Sequence, residues 1–281
     1  MQRLTGRKDE VFNLDGKTLC AAVGTAALKL SRSDAAARQV QIVSLFSAMR
    51  NIVVGQLRTV KSVNEVKAAQ ELLELCEIKG RVITADAQHA TRRTFEIIVE
   101  KGGDFVVTVK KNVAALHRAM LQAFETDVPI VIETREKRGK VVEIRRYEII
   151  AATETTFPLV MSFVRVTRVG VSHSGPQDAT KQTLYATTIP AIDAELIAQI
   201  IRKRWQIENG LHHRLDVEFD EDRSTIREGT LPEQFARVRH WCFSLLSTAK
   251  MPKKKSIPVK RLLCAADDRI LARVLRLPWR K

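Results

Sequence analysis

Three carboxylates carry the chemistry that this sequence suggests: Asp15, Asp86 and Glu208. Asp15 and Asp86 each follow an apolar run typical of a β-strand, and Glu208 lies in a run with helical spacing. If the three met, they would raise each other's pKa values unless a divalent cation neutralised them. Hard oxygen ligands suit Mg²⁺ or Mn²⁺. Two such ions can activate a water or a 3′ hydroxyl and stabilise the leaving oxygen of a phosphodiester.

The segment from Leu196 to Asp216 is predicted to be one helix. Its apolar residues recur at helical spacing and would form one stripe, which contains Ile197, Ile200, Ile201, Ile207, Leu211 and Leu215. Arg204 and Glu208 fall on the same stripe, and charges within an apolar face need partners or must reach a site. One alternative is an ion pair between these two residues, although arginine before glutamate is the weaker order on a helix. The other is that Arg204 faces a phosphate.

Both aspartates also have a purely structural interpretation. Asp15-Gly16 is a common turn sequence, so we expect the first strand to end there. Asp86 would cap the helix that follows its strand. We expect both residues at the carboxyl ends of strands, where the sites of α/β sheets gather.

The net charge of +15 and the pI of about 10.0 indicate a polyanionic partner, most simply nucleic acid. A membrane surface is the rival, but no segment is apolar enough to span a bilayer, and the first ten residues lack a signal-peptide core. Besides Arg204, the candidate phosphate contacts are cations that otherwise would form a solvated surface, namely Lys17, Lys110, Lys111, Arg138 and Arg223. The basic run Lys253–Lys255 is a further candidate for gripping DNA.

Cysteine and histidine usage argues against a zinc site. The four cysteines are Cys20, Cys76, Cys242 and Cys264, and none is paired at a zinc-like spacing, so a reduced cytosolic protein is expected. His212 and His213 are adjacent and point in different directions on a helix. We therefore favour a structural or DNA-facing role for them.

The order of predicted elements indicates an α/β fold, a mixed sheet with crossover helices. We expect the first part of the core at 1–111 and a β-rich insertion at 112–191. The second part, with the glutamate helix, is expected at 192–250, and a basic C-terminal tail at 251–281. A loop is expected at Ala21–Ala37 and a helix cap at Asn64.

Several blocks of this sequence resemble, in order, bacterial insertion-sequence transposases of the branch that includes the H-repeat-associated proteins. The most specific block is Arg204–Ser224. The other blocks are Asn13–Leu19, Ser62–Glu65, Val82–Gln88, Glu100–Phe105 and Leu231–Phe235 with Arg239. Together they span about Leu14 to Ala249.

The resemblance implies a ribonuclease-H-like catalytic core with an Asp-Asp-Glu triad and two Mg²⁺ or Mn²⁺ ions. By motif, Asp15 is the first acid, Asp86 the second and Glu208 the third, and Arg204 matches the arginine of the Tyr-Arg-Glu-Lys signature. The implied reaction is hydrolytic nicking at the ends of the mobile element, followed by transfer of the 3′ hydroxyl into target DNA. A cytoplasmic, nucleoid-associated protein is expected, with a homodimer in the active complex.

The sequence departs from that signature at two positions. The tyrosine position holds Ile201, and the lysine position holds Leu215, next to Arg214. The chain also begins almost at the first catalytic strand, whereas the family usually carries a helical segment before it, so a truncated copy is expected. The alternatives are an inactive DNA-binding remnant of a transposase and another ribonuclease-H-like nuclease without strand transfer.

Overall fold

Apolar and alternating runs along the chain become strands, and the amphipathic runs between them become helices. The structure, a computed structural model, describes residues 10–19, 40–60, 65–138, 141–152, 157, 159–172, 175–204, 207–226 and 230–277. The loop expected at Ala21–Ala37 and the cap expected at Asn64 lie outside these residues. Side chains of Val60, Arg138, Val141 and residues 171–180 are likewise not described.

The described residues form two compact units. One contains those within Met1–Val11 and Glu77–Arg204, and the other contains those within Phe12–Cys76 and Trp205–Lys281. Asp86 and Arg204 belong to the first unit, whereas Asp15 and Glu208 belong to the second.

The first unit is built on a mixed sheet with the strand order β4-β5-β9-β8-β7-β6. The strands are β4 Val82–Ala85, β5 Asp104–Val109, β6 Ile130–Arg138, β7 Val141–Ala151, β8 Ser162–Ser172 and β9 Gly175–Thr187. β4 and β5 are parallel, while β5 through β9 to β6 pair antiparallel. β4 and β5 carry no charged side chain between their ends, as expected of buried parallel strands.

The helices of the first unit are α2 Arg92–Glu100, α3 Ala114–Thr126 and α4 Ala194–Arg204. α2 connects the parallel pair β4 and β5, as such pairs require. It begins where the Thr91 side chain accepts a hydrogen bond from the Thr94 amide. Its Phe95 stacks on Phe105 of β5 with ring centroids 4.1 Å apart. The helix is thereby fixed to the sheet by aromatic packing.

The second unit starts with an antiparallel meander, β1 Val11–Thr18, β2 Val40–Ser47 and β3 Ile52–Val60. The sequence predicts strands at Val40–Ala48 and Asn51–Val60 that are close enough to form a hairpin, and the antiparallel pair β2 and β3 confirms it. The unit's helices are α1 Glu65–Leu75, α5 His213–Phe219, α6 Leu231–Thr248, α7 Ile257–Ala266 and α8 Asp268–Val274. A core cluster contains buried side chains from α5, α6, α7 and α8 and from β2. Its members include Phe46, Leu211, Leu215, Phe243, Ile257 and Val274. The segment around Glu208 is therefore packed into this core.

Three local predictions were wrong. β1 does not end at Asp15-Gly16 but runs to Thr18, because β2 pairs with it through Asp15, Gly16, Lys17 and Thr18. The Glu208 segment is not one regular helix: after α4, the described chain resumes as a π-helical turn, Ile207–His212, and then α5. A single last helix is predicted at about Ile257–Leu275, but the structure has two helices there, because Asp267 is extended and its side chain caps α8.

The α/β class, the mixed sheet and the flanking helices are confirmed. Four strands lie between α3 and α4, which agrees with the predicted β-rich stretch. The domain limits at 111, 191 and 250 stay predictions. Of the helices in the described parts of the chain, none is long and apolar enough to cross a bilayer.

Candidate active site

Asp15 lies in the interior of β1, opposite Ser44 of β2. Its side chain is half-buried, and its Oδ2 lies 3.7 Å from Nδ1 of His212. His212 closes the π-helical turn that carries Glu208. Within one unit, the strand of the first candidate acid therefore contacts the helical segment of the third.

Gly16 lies on the opposite face of β1 from Asp15 and Lys17, because successive strand residues face opposite sides of a sheet. A Cβ at this position would lie 2.5 Å from Oε1 of Glu65 and 2.8 Å from Nε2 of Gln41. Those two buried side chains hydrogen-bond each other. A larger residue at position 16 would require the ends of these two side chains to shift, so residue 16 serves packing while its neighbours lie on the other face of β1.

Asp86 follows β4 directly, as predicted. Its Oδ1 accepts a hydrogen bond of 2.9 Å from the Gln88 amide and caps a 3-10 turn, Ala87–His89. Asp86 is thus a capping residue, but it caps this turn and not the predicted helix, which begins at Thr91. The cap holds one carboxylate oxygen, and the side chain remains half-buried at the carboxyl end of a buried strand. Capping and a catalytic role are compatible, because a carboxylate has a second oxygen.

Glu208 is exposed, although its neighbours Ile207 and Leu211 are buried in the core of the second unit. The predicted burial of the six apolar residues of this segment is confirmed, since they are 0–4 % exposed, but the exposure of Glu208 contradicts its predicted place on the same stripe. π-helical turns are rare and occur frequently at functional sites. Here the turn presents an exposed carboxylate from a backbone whose neighbouring side chains are buried.

Arg204 ends α4 and is half-buried. Its guanidinium hydrogen-bonds the hydroxyl of Tyr185 on β9. Burial raises the pKa of Tyr185, and the adjacent Arg204 opposes that rise. Tyr185 therefore stays neutral at physiological pH and orients the arginine.

Lys17 is enclosed by carboxylates that the sequence analysis did not single out. Its ammonium pairs with Asp216 on α5, lies 3.1 Å from Oε2 of Glu221 and 3.5 Å from Oδ1 of Asp222. The side chains of Lys17 and Glu221 are only 12 % and 1 % exposed. Burial alone would lower the pKa of Lys17, but its bond to Asp216 and the charge of Glu221 raise that pKa above the usual value. The ammonium therefore stays charged.

Two buried histidines flank this cluster. His240 on α6 lies 3.7 Å from Oε1 of Glu221. Burial, together with neighbouring positive charge, lowers the pKa of His212 to about 4 and that of His240 to about 3. Burial raises the pKa of Glu221, partly offset by Lys17. At neutral pH the imidazoles are uncharged, so the positive charges that act on Glu221 include those of Lys17, 3.1 Å away, and Arg239.

The other predicted phosphate contacts lie at the surface. Lys110 and Lys111 are exposed directly after β5. Arg223 is exposed in the 3-10 turn after α5, 3.9 Å from Asp220. Their exposure leaves them accessible to a large anion, and their role as DNA contacts stays a prediction.

A basic pocket of about 630 Å³ lies on the second unit. Its lining includes Lys253, Lys254, Lys255 and Arg214, with Glu218 as the acid that pairs with Arg214 at 3.5 Å. The pocket follows the end of α6. There the buried ammonium of Lys260 donates to the carbonyl oxygens of Leu246 at 2.5 Å and Ala249 at 2.8 Å. These two hydrogen bonds fix the chain just before Lys253–Lys255. The sequence indicated these three lysines only as a run of charge.

The side chains expected to hold metal are suitable in type. Asp15, Asp86 and Glu208 offer oxygen donors that are exposed or half-buried, as Mg²⁺ and Mn²⁺ prefer. In the parts of the chain that the structure describes, no three His, Cys, Asp or Glu side chains are grouped closely enough to hold an ion. The types of these three residues thus fit a divalent cation.

Comparison with known proteins identifies the family. The model of the transposase DDE domain matches residues 17–243, which include Asp86 and Glu208 and begin two residues after Asp15. The protein YbfL of Escherichia coli is 31 % identical over 95 % of this chain and 71 % of its own length. The "H repeat-associated putative transposase YhhI" of Escherichia coli is 30 % identical over the same shares.

One solved structure shares the fold at low sequence identity. It is the piggyBac transposase in a synaptic complex with hairpin DNA, with a TM-score of 0.50 and 10 % identity. The likeness covers 96 % of this chain and 55 % of the other. It agrees with the ribonuclease-H-like class expected from the sequence. Since the family model matches most of the chain and these relatives match it nearly end to end, the protein belongs to the transposase DDE domain family.

Proposed function

We propose that this protein is a metal-dependent DNA transposase whose catalytic acids are Asp15, Asp86 and Glu208. The observation that carries the proposal is the contact between β1, which holds Asp15, and the π-helical turn that holds Glu208. This contact joins two segments of the second unit whose candidate acids are 193 positions apart in sequence. Family membership makes phosphodiester chemistry the activity to expect from such acids.

The proposed reaction is nicking at the ends of a mobile element, followed by transfer of the freed 3′ hydroxyl into target DNA. Two Mg²⁺ or Mn²⁺ ions held by the three acids would supply a polarised nucleophile and stabilise the leaving oxygen. Asp15 is suited to this role because a paired strand fixes its backbone. Glu208 is suited because its side chain is exposed and can reach a bound phosphate.

The remaining partners follow from charge. A protein with a net charge of +15 attracts DNA over long distances. Exposed Lys110, Lys111 and Arg223 would contact phosphates, and Arg204, oriented by Tyr185, would neutralise one near the acids. We propose a homodimer as the active complex, acting on chromosomal DNA in the cytoplasm.

The decisive experiment is a cleavage assay on duplex DNA that carries the sequences flanking the gene, with Mg²⁺ or Mn²⁺. Glu208→Gln should lower the nicking rate by more than about 100-fold, as for a group that acts in the transition state. Asp15→Asn and Asp86→Asn should do the same, and Asn at position 86 can still cap the turn. Glu195→Gln, at an exposed glutamate of α4, is the matched control and should nick normally.

Each outcome selects one function. Metal-dependent nicking that Glu208→Gln abolishes, with strand-transfer products, establishes a transposase. Nicking without strand transfer favours another nuclease of this fold. DNA binding without nicking favours an inactive remnant, and nicking that survives Glu208→Gln removes the assigned role of this residue.

A further inference from the structure

Lys17 and Asp15 lie on the same face of β1, because they are two residues apart on a strand. Their partners on the helical side, Asp216 and His212, are four residues apart. Two strand residues advance by about 6.6 Å and four residues of an α-helix by about 6 Å. The contacts Asp15–His212 and Lys17–Asp216 therefore follow one another at matched spacing along β1 and along the helical segment. They are two successive non-covalent contacts between strand and helix.

Glu208 precedes His212 by about one helical turn. It is therefore the next residue on the helical side, beyond the position that faces Asp15. The separation of Asp15 and Glu208 depends on which strand residue faces which helical residue. A shift of the strand by one residue would turn Asp15 to the opposite face of the sheet.

The interaction at Lys17 is the stronger of the two. It joins one ammonium to the three carboxylates of Asp216, Glu221 and Asp222, whereas His212 faces Asp15 across 3.7 Å. Both Lys17 and Glu221 are largely withdrawn from solvent, so the attraction between them is weakly screened. Removing Lys17 would take away the ammonium that lies 3.1 Å from the buried carboxylate of Glu221.

We propose that Lys17 is a positioning residue, which fixes the register between β1 and the Glu208 segment and thereby sets the distance between Asp15 and Glu208. This role differs from the phosphate contact predicted for Lys17 from the sequence. The ammonium acts through the two acids and touches neither metal nor DNA. The inference rests on the proposed function only where metal affinity and nicking are concerned.

The first test is independent of metal and DNA. Hydrogen exchange of the full chain is compared for wild type, Lys17→Met and Arg58→Met. Met keeps the length of the side chain and removes its charge. Arg58 supplies the matched control, since it forms a partly buried ion pair with Glu233 in the same unit, 3.7 Å apart. Lys17→Met should speed exchange in residues 207–219, and Arg58→Met should not.

The second test reads the consequence for metal. Titration of Mn²⁺ followed by electron paramagnetic resonance should show an affinity about 10–100-fold weaker in Lys17→Met, the size of effect typical when a residue that orients a metal ligand is removed. Lys17→Arg keeps the charge and should recover part of that affinity. If Lys17→Met does not fold, Asp216→Asn removes the same ion pair at its more exposed end and should give the same pattern.

The outcomes separate this inference from the proposed function. Equal exchange of residues 207–219 in Lys17→Met and Arg58→Met overturns it, and so does Mn²⁺ affinity unchanged by Lys17→Met. A wild type that neither binds Mn²⁺ nor nicks DNA would sink the proposed function alone. The exchange comparison would then still decide whether Lys17 holds the register.

Discussion

A buried titratable residue changes the stability of the protein with pH, and His240 is the clearest case here. Its imidazole is enclosed by Glu221 and the packing of α6, and burial is the largest cause of its lowered pKa. An unfolded chain binds a proton at this histidine below about pH 6.5, whereas the folded chain binds it only near pH 3. Stability is therefore highest above pH 6.5 and is lost as the pH falls toward 3.

We expect His240→Gln to flatten this pH dependence. Urea unfolding measured between pH 7 and pH 4.5 should show wild type losing up to about 1.4 kcal/mol per pH unit more than the variant. His212 and Glu221 also titrate, the latter with the opposite sign, but both are present in each protein. Equal slopes for the two proteins would mean that His240 is not kept neutral by the fold.

Sequence reasoning found several residues of the site but not their partners. Asp15, Asp86 and Glu208 stood out because carboxylates after strands or on an apolar stripe are unusual. Lys17 was noticed as a cation, yet its partner Asp216 lies 199 residues away, and no local pattern connects them. The matched spacing of 15 and 17 with 212 and 216 was the available signal, and it becomes meaningful only when the strand and helix are known to be neighbours.

At the scale of elements, burial was predicted well where apolar spacing recurs over many residues. The ends of helices and strands were predicted poorly. The apolar stripe from Ile197 to Leu215 is buried as expected. The π-helical turn at Ile207–His212 was missed, because six residues are too few to distinguish its period from that of an α-helix. The strand through Asp15-Gly16 was missed because the turn propensity of this pair was overridden by pairing with β2.

The end of α6 depends on one side chain from α7. The ammonium of Lys260 donates to two carbonyl oxygens that the helix cannot satisfy, and its stem is buried. Lys260→Met should lower the free energy of unfolding by about 1–3 kcal/mol, since buried carbonyls lose their partner. Lys250→Met, at an exposed lysine beside the same helix end, is the control and should change little. Equal stability of the two variants in urea unfolding would contradict this role.

At the scale of the whole molecule, the excess of positive charge can favour DNA binding in two ways, by general attraction or by contacts at a specific surface. The anchored pocket formed by Lys253, Lys254, Lys255 and Arg214 concentrates charge on one surface of the second unit. A general effect would depend only on net charge. A specific surface would respond to these lysines more than to others.

Replacing Lys253, Lys254 and Lys255 together by Gln should weaken binding to a short DNA duplex. The slope of log affinity against log salt should also fall by up to about 3, close to one for each phosphate that a lysine no longer neutralises. The control replaces three exposed lysines elsewhere, Lys67, Lys79 and Lys181, and removes the same charge. If both triple variants show the same decrease in affinity and slope, the pocket does not bind DNA specifically and net charge alone explains binding.

The tripeptide Asp15-Gly16-Lys17 has a consequence for how such sequences are compared. Its three residues are constrained by two different environments. Asp15 faces His212 and Lys17 faces Asp216, whereas Gly16 lies against Glu65 and Gln41. A chain that replaced Glu65 and Gln41 by smaller residues could carry Ala at position 16 and keep its chemistry. Searches for distant relatives should therefore weight positions 15 and 17 together, and score position 16 jointly with 41 and 65.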